Sequence, residues 1–306
     1  MNHFSIELSL FTVIPALVLC GYIFYKDRIE KEPFGLLSIL FVAGAIGYIP
    51  CFFAQQGITS LFDSIYKSSI SFSPEGLVTF ATRANEFTHH ALIAFFGYAL
   101  PQIAFKWCLL YFITHKNKNF NYLFDGVVYA TFLSLGFAIA ENVHFVIEND
   151  WALFGAKILT SIPCHLFIGI LIGYYYTMWH ARFTANSIEN QMLEAGIVKE
   201  DNVRSSFPWL LCSFCFPILV NGIYIFAGSV NSDIVTFIFY LVVFILYGIS
   251  FVMVDQLADK DRNAARYVSR MISKGHPDLS SQVVENIIKK GCPQANQDDE
   301  TEGTKQ

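Results

Sequence analysis

A chain of 306 residues with 54% hydrophobic and 15% charged residues, and a mean hydropathy of +0.45, is too apolar and too charge-poor for an ordinary soluble domain. Neither a glycine-rich phosphate loop nor a nucleic-acid signature interrupts the apolar pattern, which predicts an integral membrane protein. The net charge of −5 decides little, because in such a protein the position of each charge matters more than the sum.

Apolar runs long enough to span a bilayer predict seven helices, at 4–25, 34–56, 91–114, 125–147, 154–179, 208–228 and 232–255. No Lys or Arg precedes the first run, so the charged leader of a cleavable signal is missing and this span is expected to be retained. Sixteen Lys and Arg fall in 26–33, 115–124, 180–207 and the segment after 255, against only Lys67 and Arg83 in the alternate connections. By the positive-inside rule, the N-terminus lies outside and the C-terminus in the cytoplasm. The expectation is an all-α, polytopic transmembrane helix bundle over 1–256, a cytoplasmic amphipathic helical tail over 257–290 and a disordered C-terminus over 291–306.

The long outer connection, 57–90, ends in His89 and His90, which suit either the membrane interface or a metal. The polar stretch 180–207 reads as a short helix lying on the membrane. After the last span, Tyr267, Val268, Met271 and Ile272 form one stripe with basic residues opposite, a pattern that fits a headgroup surface. A second amphipathic segment follows Pro277, with Leu279, Val283, Val284, Ile287 and Ile288 at helical spacing. Of the seven cysteines six lie in spans, so a disulfide framework is not expected, and Cys212 and Cys215 read as small packing residues.

Ionisable groups inside a bilayer cost roughly 2.5–3.5 kcal/mol each on insertion scales, so their presence asks for a reason. The third span carries Gln102 and Lys106, the fourth Glu141, Asn142 and His144, the fifth Lys157 and His165, and the sixth Asn221. Counted from the outer end of each span, Gln102, Glu141, His165 and Asn221 fall at roughly 9–17 Å depth. Four spans thus place polar side chains in one layer, which predicts a buried polar site.

The ordered segments "KDRIEKEPFGLL" (26–37), "FDGVVYATFLSLGFAIAENVHF" (124–145) and "PCHLFIGILIGYYY" (163–176) resemble the signatures of the PrsW-type intramembrane proteases, which are related to the prenyl-protein (CAAX) proteases. Glu30 and Glu32 before Pro33 also suit the N-terminus of a helix, and Gly136, Gly169 and Gly173 suit close helix approach. The resemblance implies a metal-assisted hydrolase of peptide bonds in the membrane, at home in a bacterial inner membrane, with partners that carry a transmembrane segment. It also implies a pair of glutamates before Lys106, where this chain has Gln102 and Ile103. A later His-Gly-x-x-Asp motif of the family reads Asn221 to Ile225, and the tyrosine that closes the fourth-span motif is Phe145.

Three readings follow from these residues. In the first, the chain keeps the family scaffold and binds membrane-embedded helices without catalysis. In the second, the site has moved: Glu141, His144 and His165 hold a zinc ion, with Glu141, His165, Asn142 and Lys106 as the catalytic set. In the third, Lys106, Glu141 and His165 line a proton or solute pathway of a transporter or channel.

Overall fold

The computed structural model describes residues 3–70, 86–148, 151–200, 202, 205–229 and 233–290, with side chains over 13–66, 86–148, 159–200, 202, 205–229 and 236–290. Seven long helices follow in order: α1 (His3–Lys26), α2 (Phe34–Ile70), α3 (Glu86–Thr114), α4 (Asp125–Glu148), α5 (Trp151–Glu194), α6 (Phe207–Ser229) and α7 (Asp233–Asp259). Two short helices, α8 (Ala264–Gly275) and α9 (Ser281–Lys290), close the described chain. The spans in α2 to α7 are long and apolar enough to cross a membrane, and the described part of α1, Val13–Lys26, is a shorter apolar helix. The all-helical bundle expected from the apolar runs is therefore the fold. Arg83, the side chains of Lys67 and Lys157 and the 291–306 tail lie outside the described residues.

Helix α4 sits at the centre, packed against α1, α2 and α5 and buried continuously from Asp125 to Ala138. Backbone contact makes this possible. A Cβ on Gly136 would collide with the Phe41 carbonyl of α2, and one on Gly44 of α2 with the Leu133 carbonyl of α4. On the opposite side, Gly169 and Gly173 of α5 meet the α4 backbone in the same way. Small residues are what let membrane helices approach this closely, since lipid offers no hydrophobic drive for them to associate.

Within α3 the segment Ile93–Ala99 is wound as a π-helix, and the Leu100 amide bonds to the Phe95 carbonyl. The cause is Pro101, which has no N–H and whose ring would strike the carbonyl four residues back. Widening the turn resolves that clash and resets the register of everything after it, including Gln102 and Lys106.

At the other end of the bundle the structure departs from the sequence reading. Residues 180–194 form no separate surface helix but continue α5 without a break. Ala181, Ala185 and Met192 make a buried stripe on this extension and receive Val268 and Ile272 of α8 and Val284 of α9. The apolar stripe of the tail therefore packs on protein and not on headgroups. Helix α5 ends where Gly196 takes a positive φ of 70°, with the Ile197 amide bonded back to the Met192 carbonyl, a glycine stop of the Schellman kind. The tail is not continuous with α7 either: the Asn263 side chain accepts from the Arg266 amide and starts α8 afresh.

Candidate functional site

The polar layer read from the sequence is a single hydrogen-bonded chain across four helices. Asn221 Nδ2 on α6 donates to Gln102 Oε1 on α3 at 2.9 Å, and Gln102 Nε2 donates to Glu141 Oε2 on α4 at 3.3 Å. His165 Nε2 on α5 lies 3.1 Å from the same Glu141 oxygen, and its Nδ1 lies 2.8 Å from Lys106 Nζ on α3. Gln102, Lys106, His165 and Asn221 are all buried, Lys106 at 1% exposure.

One assignment gives every link a donor and an acceptor. With Lys106 as an ammonium, which can only donate, Nδ1 of His165 accepts and Nε2 carries the proton of a neutral imidazole toward Glu141. Glu141 then accepts from both His165 and Gln102, which leaves the Gln102 carbonyl to accept from Asn221. Every link is satisfied by one assignment. The ammonium of Lys106 also stands 4.5 Å from the centroid of the Phe137 ring, and Ser134 Oγ holds the backbone carbonyl of His165 at 2.8 Å.

The other expected site residues fall elsewhere. His144 does not join Glu141 and His165: its ring packs against Tyr48 and Phe52 of α2, and its Nε2 lies 3.1 Å from Glu148. Asn142 is buried beside Glu141, and neither amide atom has a hydrogen-bond partner among the described residues. Ile103 is fully buried in the main apolar core. His89 stacks on Tyr66 and pairs with Asp63 at 3.0 Å, an arrangement internal to the end of the bundle.

Residues 32–249, well over half of the chain, match the family described as PrsW family intramembrane metalloprotease. The chain belongs to the PrsW family. A relative named Protease PrsW from Oceanobacillus iheyensis is 31% identical over 216 residues, 70% of this chain and 79% of the relative. Proteins of the same name from Geobacillus kaustophilus and Bacillus subtilis are 26% identical over 212 residues and 23% identical over 235 residues. These alignments take in 69% and 77% of this chain, and 75% and 87% of the two relatives. No solved structure matches. With six membrane-length helices among the described residues and bacterial relatives, this PrsW-family chain is an integral protein of the bacterial plasma membrane.

The family description names a metalloprotease, and a catalytic zinc takes three protein ligands and leaves a fourth position for water. The residues present do not fit that requirement. Among the described residues no group of three His, Cys, Asp or Glu side chains is placed to hold a metal. Glu141 and His165 are the two donors of the right type, and the imidazole is engaged at both nitrogens, by Lys106 and by Glu141 itself. The Gln102 and Asn221 amides that complete the layer are poor zinc ligands.

A second polar cluster in this PrsW-family chain lies where the 27–33 connection meets α4, and sequence reasoning missed it. Glu32, taken there as a partner of the α2 helix terminus, is buried and accepts from Tyr129 Oη at 2.6 Å, while its amide donates to Asp27. Burial pushes the Glu32 carboxyl from 4.5 up to about 7, helped by the charges of Asp27 and Glu30 and opposed by hydrogen bonds with Tyr129 and Asp125. The signal in the sequence was weak, since Glu32 and Tyr129 are 97 residues apart and only tertiary packing joins them.

A raised carboxyl pKa means that the folded chain holds a proton which the unfolded chain has already lost. Stability attributable to Glu32 is therefore greatest below pH 4.5 and declines as pH rises toward about 7. Unfolding midpoints measured across that window should fall less steeply in Glu32→Gln than in the parent. The remaining slope belongs to groups such as Asp27 and Asp261, whose carboxyls burial also pushes up. Identical slopes in the two proteins would show that Glu32 is not held protonated by the fold.

Proposed function

We propose that this PrsW-family protein binds transmembrane segments of other membrane proteins without hydrolysing them. The observation that carries the reading is the closed chain from Lys106 through His165, Glu141 and Gln102 to Asn221. Hydrolysis by the family's chemistry asks for a metal or a carboxylate free to take a proton from water. Here Gln102 and Ile103 stand where the resemblance expects two glutamates, and Asn221 stands where it expects histidine. Each replacement turns a reactive group into a packing or hydrogen-bonding one.

Support for binding comes from the flank of the bundle. An apolar cleft of about 430 Å³ lies between α1, α5 and α7, walled by Leu19, Ile162, Tyr240 and Phe244. Another, of about 360 Å³, lies between α1, α2 and α4 around Phe41 and Phe132. Both can accept side chains of a passing membrane helix. The buried polar chain links α6, α3, α4 and α5 at one level of the bundle, which suits holding helices together.

The test is co-reconstitution in liposomes with single-span peptides that carry a fluorophore at each end. Energy transfer from the labelled protein to a peptide, with the peptide remaining full length, is the expected result. Fragments released in amounts that depend on Glu141 would contradict the reading.

A further inference from the structure

Below the end of α7, the turn at 260–263 and helix α8 bring three arginines to one place. Arg266 and Arg270 are four residues apart on α8 and share a face, and with Arg262 of the turn and Lys289 of α9 they line a polar cleft of about 500 Å³. Against these four cations the cleft contains two carboxylates, Asp261 and Glu285. Glu285 is committed to Lys289 at 2.8 Å and to Arg266 at 4.0 Å. Asp261 accepts from the backbone amides of Phe124 and Arg262. Among the described residues neither Arg262 nor Arg270 makes a close ion pair, and with four cations facing two carboxylates the cleft keeps a net positive charge.

The surroundings are those of a membrane boundary. Arg262 lies three residues beyond the end of the last span at Asp259. Ile29, from the connection between α1 and α2, lines the cleft and is 54% exposed. Directly adjoining, and sharing Tyr122 and Asn263 as walls, is a smaller cleft of about 210 Å³ lined mainly by apolar groups such as Phe120, Val268 and Ile288. A polar, cationic cleft thus abuts an apolar one at the end of the bundle where the cation-rich connections lie.

We propose that this cleft binds the phosphate of an anionic phospholipid headgroup. The planar fork of a guanidinium matches two phosphate oxygens at once, which a lysine ammonium cannot do. Basic pockets beside membrane helices are suited to such headgroups, and the local surface potential of an anionic leaflet adds to the attraction. The adjoining apolar cleft and the exposed Ile29 favour a lipid over a free phosphate, because a lipid alone has apolar parts to place there.

The experiment uses the full-length protein in a non-ionic detergent, titrated with short-chain phosphatidylglycerol, phosphatidylcholine of equal chain length, or inorganic phosphate. Affinity and the unfolding midpoint are both read. Phosphatidylglycerol should bind saturably and raise the midpoint, while phosphatidylcholine and phosphate should do neither at the same concentration. The double variant Arg262→Ala/Arg270→Ala should lose about tenfold in phosphatidylglycerol affinity, the worth of one charge-assisted hydrogen bond. Lys118→Ala/Lys199→Ala, which removes the same charge at exposed positions outside the cleft, should bind as the parent does. If the arginine-to-alanine pair does not fold, Arg262→Lys/Arg270→Lys keeps the charge, loses the fork and should still bind measurably more weakly. Unchanged affinity in the folded arginine variant, or an equal loss in the lysine control, would overturn the proposal. Inorganic phosphate binding as tightly as phosphatidylglycerol would overturn the lipid assignment.

Discussion

Glu141→Ala is expected to lower the unfolding free energy of the detergent-solubilised protein by about 2–4 kcal/mol, the cost of leaving two buried hydrogen-bonding groups without their shared acceptor. The loss follows from the chain of contacts. Lys106 is 1% exposed and is linked to Glu141 through the His165 ring, so removing the carboxylate also takes away the negative charge at the far end of that link. It also deprives both the His165 ring and the Gln102 amide of an acceptor. Replacing Lys106, Glu141 and His165 together by Met, Leu and Leu removes charge and unmet polarity at once, and should cost less than Glu141→Ala alone. Equilibrium unfolding followed by far-UV circular dichroism measures both. A single variant as stable as the parent would mean that the Glu141 carboxylate is not needed to hold the polar layer together.

Gly136→Val should destabilise the bundle by about 3 kcal/mol, at the upper end for overpacking because the obstacle is backbone and cannot rotate away. The added carbon would meet the Phe41 carbonyl of α2, and the reciprocal contact of Gly44 with Leu133 means that both helices would have to part. Gly57→Ala is the control on α2, where an added Cβ meets nothing within 4 Å. That change should be neutral or stabilise by up to about 1 kcal/mol through helix propensity. Equal behaviour of the two variants in thermal unfolding would argue against backbone contact between α2 and α4.

The helices and the polar layer were legible in the sequence for a physical reason. An apolar run of membrane length is hard to satisfy in any other way, and a charge within it cannot be left without a partner. That logic found Gln102, Lys106, Glu141, His165 and Asn221, and the structure joins all five. It did not determine which way His144 turns. Residues three apart on a helix are neighbours but not on one line, and the aromatic rings of Tyr48 and Phe52 on α2 take the imidazole. Phe137 was not singled out either, since an aromatic residue in an apolar span has no mark until a cation is placed over it. The extension of α5 through 180–194 was masked by its polar composition, because its buried stripe relies on Ala181 and Ala185, which weigh little in any apolar count.

The most direct test of the closed site is the zinc content of the full-length protein purified at neutral pH without chelator, beside Glu141→Ala and His165→Ala. With both imidazole nitrogens engaged and, among the described residues, two donors of the right kind in the polar chain, no stoichiometric zinc is expected in any of the three. One equivalent in the parent, lost in both variants, would contradict it and return the protein to the working metalloproteases of its family.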